Sequence, residues 1–250
     1  MRCVNFRFVH AAVMGRLMFQ ISLRFSGRLA AIVFGLVLLG LGAASAQQNA
    51  AGGRNQPGHF DFYVLALSWS PSYCAALKER GAERMPQPQC GGRPFAFVVH
   101  GLWPQYVRGY PSYCQKPAPR IERALVDSML DLMPSPGLVY HEWNRHGTCT
   151  GLPAQRYFDA VRKARAAVKV PPNYLALTQP MTVKPGEVAD AFLKANPGLK
   201  PADMAVACDK TRITEVRICL NKDFSFRDCA EVVRHACRRD KLVMPAMRGG

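Results

Sequence analysis

Two short segments of the chain hold three of its six histidines, together with a glutamate and an arginine. The first, residues 100–104, reads His-Gly-Leu-Trp-Pro, and the second, residues 141–149, reads His-Glu-Trp-Asn-Arg-His-Gly-Thr-Cys. An imidazole titrates at about pH 6.5, so one histidine can accept a proton while another donates one. His100, His141 and His146 are therefore candidates for general acid–base catalysis.

The second segment would place its ionisable side chains on one side of a short helix. An α-helix turns by about 100° per residue, so that four ionisable side chains share an arc of about 140°: His141, Glu142, Arg145 and His146. Trp143 falls on the opposite side and is expected to pack into the core. We therefore expect the four ionisable groups to face one site.

The spacing of His141 and His146 argues against a metal site. The zinc-protease motif places its two histidines side by side, one helical turn apart, whereas these two are a residue further apart and have Arg145 between them. An arginine keeps its positive charge and would repel a metal cation. The sequence therefore predicts neither a metal ion nor any other cofactor.

An arginine beside two histidines is suited to an anionic ligand. Its planar guanidinium matches phosphoryl oxygens and stabilises charge that develops in a transition state. RNA carries its own nucleophile, the ribose 2′-hydroxyl, so its cleavage needs a base to remove that proton and an acid to protonate the leaving 5′-oxygen. The expected product is a 2′,3′-cyclic phosphate that is hydrolysed more slowly to a 3′-phosphate. A single strand is the expected substrate, because a duplex restrains the backbone freedom that in-line attack requires.

Hydrophobic periodicity predicts the elements that would position these side chains. Strands are expected over residues 60–69, 95–99, 204–207 and 211–220, with a last strand or extended tail near 242–243. Helices are expected over residues 120–132, 140–146, 154–168 and 186–195. Residues 78–94 and 101–119 are rich in glycine and proline and are expected to form loops. This order predicts an α+β fold, with a central, mainly antiparallel sheet flanked by helices in a single domain.

Residues 1–46 have the pattern of a secretory signal peptide. Five arginines and no acidic residue precede an apolar run from Leu29 to Gly42, and Ala44-Ser45-Ala46 follows. Cleavage is expected after Ala46. The alternative is an uncleaved membrane anchor, but this run of about fourteen residues is shorter than the roughly twenty that span a bilayer.

The remaining chain is expected to be an exported, soluble protein. Polar residues 47–58 are expected to be flexible, and residues 59–250 to form one catalytic domain. Removal of the leader lowers the net charge from +16 to +11, which still favours a polyanionic partner such as RNA. We expect a monomer, periplasmic or secreted, that does not associate with a membrane in its mature form.

The two segments, in this order, resemble the paired active-site motifs of the ribonuclease T2 family. The resemblance extends to Leu67-Ser68-Trp69, Pro71 and Cys74 and to the cysteine-rich end, and it covers about residues 60–237. It implies an endoribonuclease that acts on RNA without a metal or cofactor and with low base specificity.

The resemblance also implies a role for each ionisable residue of the two motifs. His100 would be the general acid and His146 the general base. His141, Glu142 and the basic residue of the second motif would bind phosphate and stabilise the transition state. That basic residue is most often lysine in the family and is Arg145 in this chain. We expect activity to be retained with an altered rate, because the charge is the same and the geometry differs.

Candidates for base binding lie after the first motif. Trp103 is placed to stack on a base, and packing in the core is an equal alternative for it. Gln105 stands where the family often has Asp or Asn, which leaves the base preference open. Tyr106, together with Tyr110 and Tyr113, is a candidate for stacking on a base.

Eight cysteines follow the predicted leader, and an even number in an exported protein indicates disulfide bonds. Counting alone leaves roughly a hundred connectivities open. The resemblance implies four pairs: Cys114–Cys149, Cys208–Cys237, Cys219–Cys229 and Cys74–Cys90.

Two alternatives compete with an endoribonuclease. The first is a basic RNA-binding or toxin-like protein that uses the same fold without catalysis, although a pure binder would not need the intact set of ionisable residues. The second is a metalloenzyme, which the histidine spacing disfavours.

Overall fold

The centre of the fold is a four-stranded antiparallel sheet with the strand order β2-β1-β5-β4. Its strands are β1 (Phe62–Trp69), β2 (Phe97–Gln105), β4 (Met204–Cys208) and β5 (Ile213–Leu220). A separate antiparallel pair consists of β3 (Met181–Val183) and β6 (Leu242–Met244).

Six α-helices flank the sheets in the part of the chain that is described: α1 (Ser70–Glu79), α2 (Arg123–Ser128), α3 (Pro136–Arg145), α4 (Ala154–Ala166), α5 (Pro185–Ala195) and α6 (Ala230–Arg234). Three of them, α1, α3 and α5, have a proline in the first turn, where its missing N–H breaks no helical hydrogen bond. The predicted α+β class is confirmed.

The computed structural model describes residues 55–82, 88–91 and 93–247, which lie in one compact unit. The predicted signal peptide over residues 1–46, and most of the predicted flexible segment, lie outside the described residues. Within those residues, no helix is long and apolar enough to cross a membrane.

The two faces of the sheet bury different side chains, since successive residues of a strand point to opposite faces. On β1, Leu65 and Leu67 point into the main core, where Tyr157 of α4 is also buried. The Tyr157 hydroxyl donates a hydrogen bond of 3.2 Å to the Leu102 carbonyl of β2. The opposite face carries a smaller cluster, with Phe62 and Val64, against which Trp103 packs.

A bulge in β2 lies at His100. Ala66 pairs with Gly101 and Leu67 with Val99, so His100 is an extra residue opposite β1. Bulges of this kind change the direction of a side chain and are frequent beside active sites. The bulge thus interrupts the regular alternation of side chains along β2 at His100.

Several element boundaries differ from the sequence prediction. The loop predicted over residues 101–119 is too long, because β2 continues to Gln105. Pro104 is compatible with this strand, since β2 lies at the edge of the sheet and proline is tolerated at an edge. Pro71 is the second residue of α1, a helix that the sequence analysis missed, as it missed β3 and α6. The helix predicted over residues 120–132 is shortened to α2, and α3 begins before the predicted residue 140.

Four disulfides join the cysteine pairs that the resemblance implies: Cys74–Cys90, Cys114–Cys149, Cys208–Cys237 and Cys219–Cys229. The second of these matters most for the site. Cys149 lies in the 3₁₀ turn Gly147–Thr150 directly after α3, and Cys114 lies in the segment after β2. The disulfide therefore fixes the segment that carries Tyr113 to the end of α3.

Candidate active site

Both sequence motifs open onto one cavity of about 330 Å³ beside the sheet. Strand β2, helix α3 and strand β5 contribute most of its lining, and the segment after β2 contributes a tyrosine. The lining residues are His100, Trp103, Gln105, Tyr110, His141, Glu142, Arg145, His146 and Arg217. All five predicted catalytic side chains are therefore brought together.

His100 lies between two carboxyl groups. Its Nδ1 is 2.7 Å from Oε1 of Glu215, and its Nε2 is 3.8 Å from Oε1 of Glu142. Burial lowers the pKa of His100, but the bond to Glu215 and the charges of both carboxylates outweigh that effect, so the pKa is raised. His100 is therefore the histidine of the site that most readily holds a proton.

Glu215 and Arg217 of β5 complete the site, and the sequence analysis did not identify them. Oε2 of Glu215 accepts a hydrogen bond of 2.7 Å from Nε of Arg217, and the Arg217 guanidinium lies 5.4 Å from the centre of the Trp103 ring. In the sequence, both charged residues alternate with Val216 and Ile218 inside a predicted strand. A period of two puts them on the face opposite the core, and that signal could have identified them.

Glu142 is wholly buried beneath the cavity. Its Oε2 accepts a hydrogen bond of 2.8 Å from Trp103 Nε1, and its Oε1 has no hydrogen-bond partner among the described residues. Burial raises the pKa of Glu142 to about 7, against the lowering effects of His100 and Trp103. The group can thus be neutral or charged near neutral pH.

Gly101 is required by this packing. A Cβ at residue 101 would overlap Oε2 of Glu142 and the Trp103 indole nitrogen, and would lie 2.6 Å from Cδ of Glu142. Only glycine lets β2 approach the buried carboxyl group so closely. The glycine of the first motif and the glutamate of the second therefore fit each other across the site.

His146 follows the last residue of α3 and is buried, with 6% of its surface exposed. Its ring centre lies 5.5 Å from that of Trp103, and its Nδ1 has no hydrogen-bond partner in the described part of the chain. Burial and, to a smaller extent, the positive charges of Arg145, His141 and His100 together lower the pKa of His146 to about 3. His146 is therefore neutral at ordinary pH.

His141 and Arg145 lie one turn apart at the mouth of the cavity. His141 is exposed, yet partial desolvation and the charge of Arg145 lower its pKa. The Arg145 guanidinium lies 5.7 Å from the centre of the Tyr113 ring, whose backbone N–H donates to the Arg145 carbonyl at 2.8 Å. Arg145 thus presents a fixed positive charge beside the two histidines of α3.

The predicted base-binding residues are distributed between the cavity and the core. Trp103 and Gln105 line the cavity. Tyr106 packs against the main core, whereas Tyr110, which is 52% exposed, lines the cavity. Among the described residues, no group of three or more His, Cys, Asp or Glu side chains has an arrangement that could hold a metal ion.

The comparison with protein families agrees with the two motifs. Residues 60–229 match the model of the ribonuclease T2 family. The chain belongs to the ribonuclease T2 family. The resemblance inferred from the motifs is thereby confirmed, and the enzyme is of the T2 ribonuclease type.

Known ribonucleases are similar to this chain in sequence and in fold. A ribonuclease from Aeromonas hydrophila is 36% identical over 192 residues, which cover 75% of this chain and 84% of that protein. The fold is similar to that of trichomaglin, described as an S-like ribonuclease, with a TM-score of 0.61 and 21% identity over 76% of this chain and all of that one. It is also similar to RNase NT in complex with 5′-AMP, with a TM-score of 0.54 and 23% identity over 68% of this chain and 91% of that one.

Proposed function

We propose that this member of the ribonuclease T2 family is an endoribonuclease that cleaves single-stranded RNA by metal-independent transesterification. One observation carries the proposal: His100 and His146 flank the same tryptophan of one cavity, and their pKa values move in opposite directions. A pair of this kind supplies a protonated acid and a neutral base at the same pH.

In the first step, His146 accepts the proton of the ribose 2′-hydroxyl as the 2′-oxygen attacks phosphorus. The bond between phosphorus and the 5′-oxygen breaks, and His100 donates a proton to that oxygen. The products are a 2′,3′-cyclic phosphate and a free 5′-hydroxyl. The lowered pKa of His146 keeps it free to accept the proton, and the raised pKa of His100 keeps a proton available to donate.

His141, Glu142 and Arg145 form the anion-binding part of the site. The guanidinium can contact two phosphoryl oxygens at once and stabilise the negative charge that builds on them. A charged carboxylate would repel a phosphate, but Glu142, with a pKa of about 7, is protonated in acidic solution and can then donate a hydrogen bond.

The second step reverses the two proton transfers. His100, now neutral, removes a proton from water, which attacks the cyclic phosphate. The bond between phosphorus and the 2′-oxygen breaks, and His146 returns its proton to that oxygen, leaving a 3′-phosphate. Each histidine ends the cycle in the protonation state in which it began.

Low base specificity is part of the proposal. The cavity offers aromatic surface from Trp103 and Tyr110, which stacks on any base. Gln105 supplies an amide, and it donates to the Pro104 carbonyl at 3.1 Å in this structure. The nucleotide in the RNase NT complex shows that a similar fold holds a nucleoside monophosphate in that protein.

We also propose that residues 1–46 are a signal peptide, that residues 47–58 are a flexible start, and that residues 59–250 are the catalytic domain. The mature enzyme would act as a monomer in the periplasm or outside the cell. The four disulfides support this proposal, because disulfides persist in oxidising compartments.

The test is cleavage of single-stranded RNA by the purified exported protein in excess EDTA, with the new ends identified by mass spectrometry. We expect 2′,3′-cyclic phosphates that convert to 3′-phosphates, and a loss of about 10²–10⁴-fold in His146→Phe. Binding of RNA without cleavage would favour the non-catalytic alternative. Cleavage that EDTA abolishes would favour a metalloenzyme.

A further inference from the structure

A buried carboxylate, Glu215, contacts Nδ1 of the His100 imidazole, whereas Glu142 of the cavity lies nearer Nε2. Glu215 lies in the middle of β5 and is 5% exposed, whereas the His100 side chain is 38% exposed. Both oxygens of Glu215 have partners. Oε1 is 2.7 Å from His100 Nδ1 and accepts from the Ser68 hydroxyl at 3.2 Å, and Oε2 accepts from Arg217 at 2.7 Å.

The partners of Glu215 determine which proton His100 carries. Ser68 and Arg217 donate hydrogen bonds to the Glu215 carboxylate and fix its plane. Burial alone would raise the pKa of Glu215, but the bonds and charges of His100 and Arg217 outweigh it, so the pKa is lowered. A carboxylate is only an acceptor, so Nδ1 of His100 must carry a hydrogen. Nε2 is left to exchange its proton with a ligand.

Other charged groups around His100 do not duplicate this contact. Glu142 of α3 is 3.8 Å from Nε2, too far for a hydrogen bond, and it faces the nitrogen that would meet substrate. Arg217 of β5 lowers the pKa of His100, and His100 in turn lowers those of His141 and His146 on α3. Among these groups, only Glu215 both contacts Nδ1 and favours the protonated ring.

We propose that Glu215 is a positioning residue for the general acid: its carboxylate keeps a proton on His100 Nδ1 and directs Nε2 toward the leaving 5′-oxygen. This inference rests on the proposed function, in which His100 protonates that oxygen. A carboxylate behind a catalytic histidine fixes its tautomer and orientation without taking the proton itself.

Glu215→Gln removes the charge with little change in size. His100 and Arg217 bind different oxygens of the carboxylate, and the amide keeps only one of the two as an acceptor, so one of these bonds is lost. Where its NH₂ faces Nδ1, the ring loses the hydrogen at that nitrogen. Where its oxygen faces Nδ1, the bond remains but the charge is lost. In both cases the pKa of His100 falls, so that the rate of RNA cleavage should decline at a lower pH than in the wild type.

The experiment compares two substrates that differ in their leaving group. A ribodinucleotide releases a basic alkoxide that needs a proton, whereas uridine 3′-(4-nitrophenyl phosphate) releases a weakly basic phenolate that does not. We expect Glu215→Gln to lower kcat for the dinucleotide by about 10-fold or more, since a positioned acid contributes roughly 10²–10⁴-fold. The nitrophenyl ester should lose less than about threefold, well below that contribution.

Matched variants separate positioning from general damage. Glu79→Gln removes an exposed carboxylate that pairs with Arg212 outside the site, and it should leave both rates unchanged. Glu215→Asp keeps the charge and should keep the alkaline decline closer to the wild-type pH than Gln does. In a His100→Phe background, Glu215→Gln should have no further effect on the nitrophenyl ester.

Equal losses on both substrates in Glu215→Gln, or an unshifted alkaline decline, would overturn the inference and leave the proposed function intact. If the wild type cleaved neither substrate, the proposed function would fall instead. An NMR titration of the His100 ring still tests the contact between Glu215 and His100 in that case, because it needs no turnover. We expect a lower pKa of His100 in Glu215→Gln, and an unchanged pKa would contradict the role of Glu215.

Discussion

Replacing Gly101 by alanine should disturb the packing of Glu142 and Trp103 in the site. The new Cβ would overlap Glu142 Oε2, would lie 2.6 Å from its Cδ, and would meet the Trp103 indole. Real side chains do not tolerate such contacts, so either β2 or the buried carboxyl group must move. In both cases the 2.8 Å hydrogen bond from Trp103 to Glu142 is lost or distorted.

The expected losses of stability and of rate in Gly101→Ala follow from the hydrogen bond between Trp103 and Glu142 and from the displacement of Glu142 or β2. Above about pH 7, where Glu142 is charged, a hydrogen bond to it contributes about 1.5–3 kcal/mol, so the free energy of unfolding of Gly101→Ala should fall by about that amount there. A displacement of about 1 Å at a catalytic group costs roughly 100-fold in rate. We expect a loss of that order in kcat/KM for a ribodinucleotide.

The assay combines urea unfolding, followed by circular dichroism, with initial rates of dinucleotide cleavage. Gly186→Ala is the matched control, because a Cβ at residue 186 meets no atom within 4 Å and its φ is not positive. It should keep the wild-type rate, and its stability should be unchanged or higher by up to about 1 kcal/mol, because residue 186 lies in α5 and alanine favours a helix over glycine. Wild-type stability and kcat/KM in Gly101→Ala would refute the close fit between β2 and Glu142.

Three further predictions concern pH, Arg145 and the leader. The pH profile of kcat/KM should be bell-shaped: activity rises as His146 loses its proton, at a pKa of about 3, and falls as His100, whose pKa is raised, loses its own. The optimum therefore lies on the acidic side of neutrality, and a rate that still climbs at about pH 9 would contradict the assignment. Arg145→Lys should change kcat by no more than about tenfold, or about 1.4 kcal/mol, because the positive charge remains. Arg145→Met, which removes the charge, should lower kcat by about 100-fold. Steady-state rates on a dinucleotide measure both variants, and equal losses in the two would argue against a charge effect. The exported protein should begin at Gln47 by intact mass, and retention of residues 1–46 would contradict the signal peptide.

The candidate catalytic residues could be identified as a group from the sequence because most of them are close together in the chain. His141, Glu142, Arg145 and His146 lie within six positions of one another, so helical geometry alone brings them to one side. The first motif adds His100 at the end of an apolar strand. The fold class followed from the order of strands and helices, which is likewise readable from periodicity.

Glu215, the second carboxylate of the site, could not be assigned to the site from the sequence in the same way. His100 and Glu215 are 115 residues apart in the chain. Their contact depends on β1 lying between β2 and β5, and on the bulge at His100. Strand order and bulges arise from tertiary packing, so the alternation in β5 indicates a polar face without indicating its neighbour.

The misplaced elements have local physical causes. Proline was among the residues that indicated a loop over residues 101–119, yet Pro104 lies inside an edge strand, and Pro71 lies in the first turn of α1. The same residue type ends one element and starts another, depending on whether its missing N–H would have been paired. Sequence alone does not state which of these applies.

The division of labour between His100 and His146 is the central claim, and an NMR titration of both imidazole rings tests it most directly. Spectra of His100→Phe and His146→Phe assign the two signals. We predict one ring, His100, with a pKa above its ordinary value and the other, His146, with a pKa of about 3. Two rings that titrate together at about pH 6.5, the ordinary value for histidine, would contradict the assignment of acid and base.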